Sequence, residues 1–187
     1  MINFTVKDVK GKDGHLECQR FIDENHYSKK CPINSELFYN MYDGTKLIGS
    51  AVLSKPAGQR CQGVYSKTGK TVLELRRLCL IDDTPKNSES YFIGHILRDL
   101  KRKKIYDGVL SYADPEYGHS GIIYKASNFK YLGVQKYKQT NLMINVETLK
   151  TMHKRTVFGS DRYKAMFDAK LIVPKQVQPK HIYYYQF

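Results

Sequence analysis

One amphipathic helix between two apolar strands constrains the fold of this chain more than any other feature. Apolar residues recur at helical spacing through residues 88–104, which gives that helix one face able to pack on a sheet. Strand patterns at 71–81 and 106–114 flank the helix. We therefore expect an α/β (α+β) protein with a central, twisted, mixed sheet flanked by helices.

The remaining patterns complete an alternating order of strands and helices. Asp43-Gly44-Thr45 is a hairpin signal between 36–42 and 46–53, because Asp-Gly supplies the positive φ of a tight turn. No Pro/Gly/Ser-rich linker interrupts the chain, so we expect one domain over 1–187, with 140–187 as a C-terminal extension packed on it. The further predictions are strands at 2–9, 131–139 and 181–187, helices at 13–25, 119–128, 147–153 and 160–168, and a polar loop at 58–69.

The charge balance indicates a polyanionic partner. Thirty-one Lys and Arg residues against eighteen Asp and Glu residues give a formal charge of +13. Such an excess favours DNA or another nucleic acid through the release of condensed counterions. Basic residues concentrate at 98–104 and at 125–155, where seven of them accompany a single acid, Glu147. The candidate nucleic-acid contacts are Lys101, Arg102, Lys103, Lys104, Lys125, Lys130, Lys136 and Lys138.

Composition also limits where such a protein acts. Fifteen tyrosines and eight phenylalanines suit stacking on unpaired bases, although a solvated basic surface around core tyrosines explains the same composition. No apolar run approaches the roughly 20 residues that span a bilayer. The four cysteines are widely spaced without a CxxC pair, which fits a reduced cytoplasmic setting. We expect a cytoplasmic protein that binds double-stranded DNA and no membrane.

Two segments suggest binding sites for anions. Counting by two along 71–81 places Arg77 in an apolar row, where a charge needs either a ligand or a structural partner such as Glu74. Residues 82–90 bring hydroxyls and free backbone N–H groups to a helix start, a site suited to phosphate or pyrophosphate. Plain capping by Asn87 or Ser88 is the alternative there, and Ser90 is better placed for a ligand.

A third segment, residues 110–129, is the richest in reactive side chains. It holds Asp114, His119 and Tyr124 within one loop and the short helix that follows a strand. Loops at the carboxyl ends of strands are where α/β sheets place ligands. Each residue also has a structural explanation: a helix cap for Asp114, a surface position for His119 and a core position for Tyr124. Their concentration favours a functional site.

The order of strand, polar loop at a helix start, strand and Tyr-x-x-x-x-Phe resembles the Gcn5-related N-acyltransferase (GNAT) superfamily. The resemblance implies a GNAT-like N-acyltransferase fold, with a CoA thioester in a V-shaped opening between the strands at 71–81 and 106–114. Tyr124-Lys-Ala-Ser-Asn-Phe129 is similar to a Tyr-x-x-x-Gly-Phe element whose tyrosine commonly protonates the departing CoA thiolate. Asn128 replaces its glycine, and Thr84-Pro-Lys-Asn-Ser-Glu-Ser90 replaces the usual pyrophosphate loop.

A narrower resemblance accounts for both departures. Over about residues 74–133, and more loosely at 26–27 and 179–181, the chain resembles the phage Mom DNA-modification proteins. These GNAT-like proteins place a methylcarbamoyl group on adenine N6 in phage DNA, which protects it from host restriction. The motifs are Arg77-Leu78, Asp83-x-Pro85-Lys-Asn-Ser-Glu-Ser90, Ser111-Tyr-Ala-Asp-Pro115, Gly118-His-x-Gly121 and Ile123-Tyr-x-Ala-x-Asn-Phe129.

The resemblance also implies an acyltransferase-like enzyme and assigns residues to its site. Adenine N6 is a poor nucleophile, so the base must be unstacked and an acceptor provided for the departing proton. Asp114 would accept that proton, Tyr124 would protonate the thiolate, and Arg77 and Ser90 would hold an anionic part of the donor. The implied catalytic residues are Asp114, Tyr124, Arg77, Ser90, His26 and Tyr27. Those implied for acetyl-CoA or another CoA thioester are Arg77, Ser88, Ser90 and Asn128.

The chemistry leaves alternatives open. Acetyl transfer alone does not supply the nitrogen of a methylcarbamoyl group. His26, His119 and Asp114 are candidate iron ligands if folding brings them together, although their spacing forms no recognised metal motif. The other functions considered are N-acetyl transfer to a protein or small amine, and non-catalytic nucleic-acid binding by a GNAT-like protein. If the protein is phage-encoded, its setting is the cytoplasm of the bacterial host.

Overall fold

A computed structural model describes residues 3–56, 59–136 and 141–187. The secondary structure in these ranges consists of the following strands and helices. The strands are β1 (Thr5–Asp8), β2 (Leu37–Asp43), β3 (Lys46–Ser54), β4 (Thr71–Leu80), β5 (Tyr106–Ala113), β6 (Lys130–Val134), β7 (Leu142–Asn145), β8 (Thr151–His153), β9 (Ile172–Pro174) and β10 (His181–Gln186). The α-helices are α1 (Gly11–Asn25), α2 (Gln59–Tyr65), α3 (Ser88–Lys103), α4 (Ile122–Ala126), α5 (Lys154–Phe158) and α6 (Asp161–Asp168).

The chain divides into two compact units. The first consists of Met1–Ala113, Gly121–Gly133 and Ile182–Phe187, and the second of Asp114–Ser120 and Val134–His181. The last strand therefore contributes most of its residues to the first unit.

A seven-stranded mixed sheet with the order β1-β2-β3-β4-β5-β10-β6 organises the first unit. β1 to β4 pair as antiparallel neighbours, and β4 pairs with β5 in parallel. The predicted hairpin is confirmed as β2 and β3, with Gly44 at a φ of 57° in the turn. This arrangement confirms the expected central mixed sheet.

Helices cover both faces of this sheet. α3 and α4 pack on one face, where Phe92 and Tyr124 join a core with Leu73. α1 and α2 cover the other face, where Ile22 and Tyr65 lie in smaller apolar clusters. α3 buries five apolar side chains, each worth ~1.5–3 kcal/mol, which explains why the predicted helix is confirmed almost residue for residue.

A β-bulge interrupts the pairing of β3 with β4. Leu75 lies opposite Leu53 and Arg77 lies opposite Val52, so Arg76 is an extra residue on β4. One extra residue reverses the side-chain alternation of the strand beyond it. The bulge therefore decides which face every later β4 side chain occupies.

The second unit contains its own sheet, which the expectation of one central sheet missed. Its three strands have the order β8-β7-β9, and α5 and α6 pack beside them around Met143, Val157 and Ile172. The predicted helix near 147–153 is wrong. The buried Asn145 side chain accepts hydrogen bonds from the backbone N–H groups of Glu147 and Thr148, which turns the chain between β7 and β8.

Smaller differences have similar local causes. The predicted loop at 58–69 contains α2, because Cys61 and Tyr65 pack against the apolar cluster around Val72. The predicted helix at 119–128 is shorter, beginning at Ile122 after a separate 3₁₀ turn over Pro115–Tyr117. The predicted strand at 131–139 is observed as β6, and residues 137–140 lie outside the described ranges.

Two further features bear on function. Across the described ranges, none of the helices is both long and apolar enough to cross a membrane. All four cysteines are free thiols. Burial raises the pKa of Cys18 and of Cys79 to about 12, so both are protonated near neutral pH and neither is an activated nucleophile.

Candidate active site

The pairing of β4 with β5 ends before either strand does, which leaves an opening between their outer parts. The parallel pairing runs from Thr71 opposite Tyr106 to Leu75 opposite Ser111, and in the described structure no pair follows. β4 nevertheless continues to Leu80, where it is still paired with β3. The sheet therefore divides beyond Leu75, between the two strands for which the opening was predicted.

Arg77 lies on the part of β4 that borders this opening, but on the face opposite to the one predicted. Because of the bulge, Leu78 and Leu80 continue the α3-side core that contains Leu75. Cys79 and Arg77 lie on the other face of the sheet, which α1 covers. The prediction that Arg77 interrupts an apolar row is therefore wrong, and its half-buried guanidinium faces the segment after α1.

Arg77 is held by that segment. Its Nε donates to the Ser28 hydroxyl at 3.0 Å and to the Lys30 carbonyl at 3.3 Å. Its Nη1 donates to the Arg76 carbonyl at 2.7 Å. None of the ion pairs found among the described residues includes Arg77, so the alternative of a structural pair with Glu74 has no support. The guanidinium is oriented by neutral oxygens.

His26 joins this arrangement through the same serine. It is buried at the C-terminal end of α1, and its Nδ1 lies 2.8 Å from the Ser28 hydroxyl and accepts from the Ser28 backbone N–H at 3.1 Å. An Nδ1 that accepts cannot carry a proton, so the geometry fits a neutral imidazole protonated at Nε2. Ser28 thus connects Arg77 with His26, and its hydroxyl also donates to the Lys30 carbonyl.

Tyr124 lies in the core beside the tyrosine that follows His26. The pKa of its buried phenol is raised by burial, while a hydrogen bond with Ser111 lowers it, and repulsion from Tyr27 and Tyr183 raises it further. Tyr124 is therefore a neutral phenol that holds its proton. The ring of Tyr27 packs 4.1 Å from that of His26.

Three of the six predicted catalytic residues, Arg77, His26 and Tyr27, thus meet within the first unit, and a fourth, Tyr124, is close enough to Tyr27 for their charges to interact. Sequence reasoning missed Ser28, which connects two of them, and Ser111, which contacts the fourth. The position of Ser28 two residues after His26 was the available signal, since a serine so close to a histidine commonly hydrogen-bonds within the same turn.

Ser90 lies apart from these contacts, at the N-terminus of α3. Its hydroxyl donates to the Asn87 carbonyl at 3.0 Å. Neither Asn87 nor Ser88 caps the helix as predicted: Asn87 has a φ of 73° and makes no capping bond, and Ser88 donates to the Pro85 carbonyl. Ser88 is fully buried, so it holds the turn, and its predicted contact with a cofactor is not carried forward.

Asn128 explains one departure from the GNAT pattern. Its φ of 62° lies in the left-handed region, where glycine is the usual residue and asparagine is the side chain that adopts it with least strain. The turn also brings the Phe129 N–H to the Tyr124 carbonyl at 3.0 Å. Asparagine therefore preserves the turn that follows Tyr124.

Asp114 and His119 belong to the second unit. Asp114 is buried; one carboxylate oxygen accepts from the Glu116 N–H at 3.1 Å and the other lies 2.9 Å from the Lys180 ammonium. It thus has the capping role named as its structural alternative, together with an ion pair. His119 is exposed, and its backbone N–H bonds to the Asp114 carbonyl at 3.2 Å.

The candidate iron ligands find no support. Within the described parts of the chain, no group of three or more His, Cys, Asp or Glu side chains is arranged to hold a metal ion. The set of His26, His119 and Asp114 is therefore not carried forward.

The predicted nucleic-acid contacts differ in accessibility. Lys103 is engaged inside the protein, with its ammonium 2.7 Å from Asp8 and 2.9 Å from Asp99, so it is not available to a partner. Lys138 lies outside the described residues. The exposed members of the set are Lys101, Arg102, Lys104, Lys125, Lys130 and Lys136.

Comparison with solved structures establishes the fold. The chain superposes on Arabidopsis thaliana NAA60 in complex with acetyl-CoA with a TM-score of 0.57, covering 99% of this chain and 100% of that one at 10% identity. It superposes on the acetyltransferase of GNAT family from Streptococcus pneumoniae with a TM-score of 0.55, covering 99% of each chain at 7% identity. The expected GNAT-like fold is confirmed.

Sequence comparison identifies the family. The Methylcarbamoylase mom of Escherichia phage Mu is 34% identical over an alignment of 119 residues. The match covers 60% of this chain and 48% of that protein, so it spans about half of that protein's length. The profile of the Mom protein family matches residues 3–186. The chain therefore belongs to the Mom protein family.

Proposed function

We propose that this protein is a DNA-modifying enzyme of the Mom type, which transfers a methylcarbamoyl or related acyl-derived group to adenine N6. The observation that carries the proposal is the group of Arg77, His26 and Tyr27, linked through Ser28 and ring packing, with the buried phenol of Tyr124 near Tyr27, in a chain of the Mom family. The identity of the transferred group is inferred from the name of the phage Mu relative. The basic excess supplies the affinity for DNA.

The cofactor proposed is acetyl-CoA or another CoA thioester. Beyond Leu75, one edge of β4 is not paired with β5, so its backbone N–H and C=O groups are available to amide groups like those of the pantetheine arm. The first turn of the 16-residue α3 has no side-chain cap, and Ser90 stands beside it, which suits a pyrophosphate. Bound there, the thioester would supply an activated acyl carbon. Attack by adenine N6 would form the N–C bond and break the C–S bond with a thiolate as leaving group, and the nitrogen of a methylcarbamoyl group would have to come from a separate nitrogen donor.

Tyr124 is the proposed proton donor to that thiolate. Its raised pKa keeps the phenol protonated, and its buried position excludes water from the proton transfer. The role of Asp114 as acceptor of the N6 proton rests on the resemblance alone. A carboxylate has about four acceptor sites, and the two contacts of Asp114 leave capacity for another.

Arg77 is the proposed anchor for an anionic part of the donor. Three directed hydrogen bonds from two of its nitrogens fix the guanidinium plane and leave the second terminal nitrogen for a ligand. A lysine has one nitrogen and cannot copy this geometry. Arg77→Lys should therefore lose at least about tenfold in modified adenine, measured in DNA from cells that contain equal soluble protein.

Nucleoside mass spectrometry tests the function. DNA from cells expressing the protein is digested to nucleosides and compared with DNA from cells expressing the Tyr124→Phe variant. Methylcarbamoylated adenine with the wild type alone supports the proposal. Unmodified DNA accompanied by acylated protein or small amines would instead indicate an ordinary N-acetyltransferase. DNA binding without any acylated product would indicate a non-catalytic protein.

A further inference from the structure

The exposed face of α3 carries a row of basic side chains, which we call the basic stripe: His95, Arg98, Lys101 and Arg102. These four residues line a shallow open groove on the first unit. The opposite face of the same helix is buried in the core. The stripe is thus presented to solvent by a rigid, well-anchored element.

The charges of the stripe are largely uncompensated. Arg98 and Lys101 take part in no ion pair among the residues that the structure describes. Arg102 has only a 3.8 Å contact with Asp99, whose carboxylate is already bound more closely by Lys103. Three exposed cations in a row without close counterions form a region of positive potential.

His95 lies within the field of these charges. Burial lowers the pKa of its imidazole, and Arg98 and Arg102 lower it further because a second positive charge is unfavourable there. The helix geometry also suits a linear ligand. Residues three or four apart on a helix lie roughly 5–6 Å from one another, so the stripe from His95 to Arg102 extends over roughly 10 Å.

Arg98 has a defined position in the stripe. One of its terminal nitrogens lies 3.4 Å from where a Cβ on Gly94 would be, so the guanidinium folds back along the helix over the glycine. A Cβ at position 94 would touch this flexible end at ordinary contact distance.

We propose that the basic stripe binds the phosphodiester backbone of duplex DNA. A repeated, linear array of negative charges is the ligand that a rigid row of cations fits, and such contacts position DNA without reading its sequence. The inference rests on the proposed function for the identity of the polyanion. It adds Arg98 and His95 to the candidate contacts, and it removes Lys103, which is neutralised within the protein.

The test compares two variants with equal loss of charge. One carries Arg98→Ala, Lys101→Ala and Arg102→Ala. The matched control carries Lys12→Ala, Lys46→Ala and Lys70→Ala, three exposed lysines outside the stripe. Affinity for a short labelled duplex is measured by fluorescence anisotropy across salt concentrations, and thermal unfolding checks that both variants fold.

Three phosphate contacts should contribute about 2.7 to the slope of log affinity against log salt, or about 40-fold in affinity between about 50 and 200 mM. The stripe variant should lose this salt dependence, while the control keeps most of it. Equal losses in both variants would overturn the proposal, because net charge alone would explain the binding. Binding to poly-glutamate, a polyanion without phosphates, is measured in the same way. If the stripe variant loses affinity for poly-glutamate as strongly as for DNA, the assignment to DNA is overturned.

Failure here is distinguishable from failure of the proposed function. If the purified stripe variant binds DNA like the wild type, and cells expressing the wild type contain modified adenine, the stripe proposal is rejected and the enzyme proposal stands. If the stripe carries salt-dependent DNA binding but cells expressing the wild type contain no modified adenine, the enzyme proposal is rejected and the stripe proposal stands.

Discussion

Ser28 is the side chain on which the candidate site depends most directly. Its hydroxyl accepts from the Arg77 Nε at 3.0 Å and lies 2.8 Å from the His26 Nδ1, so it fixes both groups relative to each other. A serine hydroxyl has one donor and two acceptor positions, which is enough to serve both neighbours. Ser28 is thus a positioning residue, since it acts through Arg77 and His26.

Ser28→Ala should lower modification of DNA while the protein stays folded. A hydrogen bond to a charged group contributes about 1.5–3 kcal/mol, so a loss of about tenfold or more in modified adenine is expected. Ser28→Thr keeps the hydroxyl and should restore most of the activity. Ser35→Ala is the matched control, because its hydroxyl donates to the nearby Pro32 carbonyl. Equal activity in both alanine variants would show that Ser28 positions nothing.

Tyr124→Phe tests the proposed proton donor. The ring packs 5.6 Å from Phe129 and 5.3 Å from Tyr183, contacts that a phenylalanine preserves. The melting temperature should therefore change little, while modified adenine should fall by about 10²-fold or more if general acid catalysis is lost. Nucleoside mass spectrometry at matched soluble protein measures this. Near wild-type modification would mean that Tyr124 only packs in the core.

At the scale of elements, the turn before α4 is fixed by a close approach. Gly121 has a φ of 74°, and a Cβ there would lie 2.2 Å from the ring of Tyr183. Gly118 has a similar φ of 72° with open space around it. Gly121 is therefore required both by its positive φ and by the close approach of Tyr183, and Gly118 by its positive φ alone.

Gly121→Ala should destabilise the protein more than Gly118→Ala. Both variants incur the cost of a left-handed alanine, about 1–2 kcal/mol, and only the first must also displace the Tyr183 ring. The difference is measured as the difference in melting temperature between the two variants. Because Tyr183 packs on Tyr124, Gly121→Ala should also reduce DNA modification. Equal melting temperatures would contradict the close approach.

At the scale of the whole molecule, stability in acid depends on a carboxylate outside the candidate site. Asp107 is buried on β5 and accepts hydrogen bonds from the side chains of Ser66 and Thr68 and from the backbone of Lys67 and Thr68. The hydrogen bonds from Ser66 and Thr68 hold the pKa of Asp107 well below its usual range. The carboxylate joins the 66–68 turn to the central sheet.

Asp107→Asn should remove part of the pH dependence of unfolding. A depressed folded-state pKa gives stability that is present above the unfolded value, about 4 for Asp, and is lost as the pH falls through the folded value. The wild type should therefore lose stability below about pH 4 more steeply than the variant. Melting temperatures from neutral to acid pH measure this, with the exposed Asp82→Asn as control. Parallel curves for wild type and Asp107→Asn would contradict the assignment.

Much of the fold followed from the sequence because its signals are local. The apolar spacing of α3, the Asp43-Gly44 turn and the strands at both sides of α3 are properties of short segments, and each is observed where predicted. The Tyr124–Phe129 motif likewise indicated the family from a short segment. Its turn needs a residue in the left-handed region, and Asn128 is that residue. The prediction of a helix near 147–153 failed because a single side chain, Asn145, directs the turn there.

By itself, the sequence determined the α/β order, the GNAT-like sheet, the membership of the Mom family and the basic excess. Only the tertiary structure decided which residues meet. The bulge at Arg76 reversed the face of Arg77, and alternation along a strand cannot reveal an extra residue that exists only relative to a partner strand. The ion pair of Lys103 with Asp8 and the hydrogen bond of Arg77 with Ser28 join residues 95 and 49 positions apart in the chain, so they too exist only once the chain has folded.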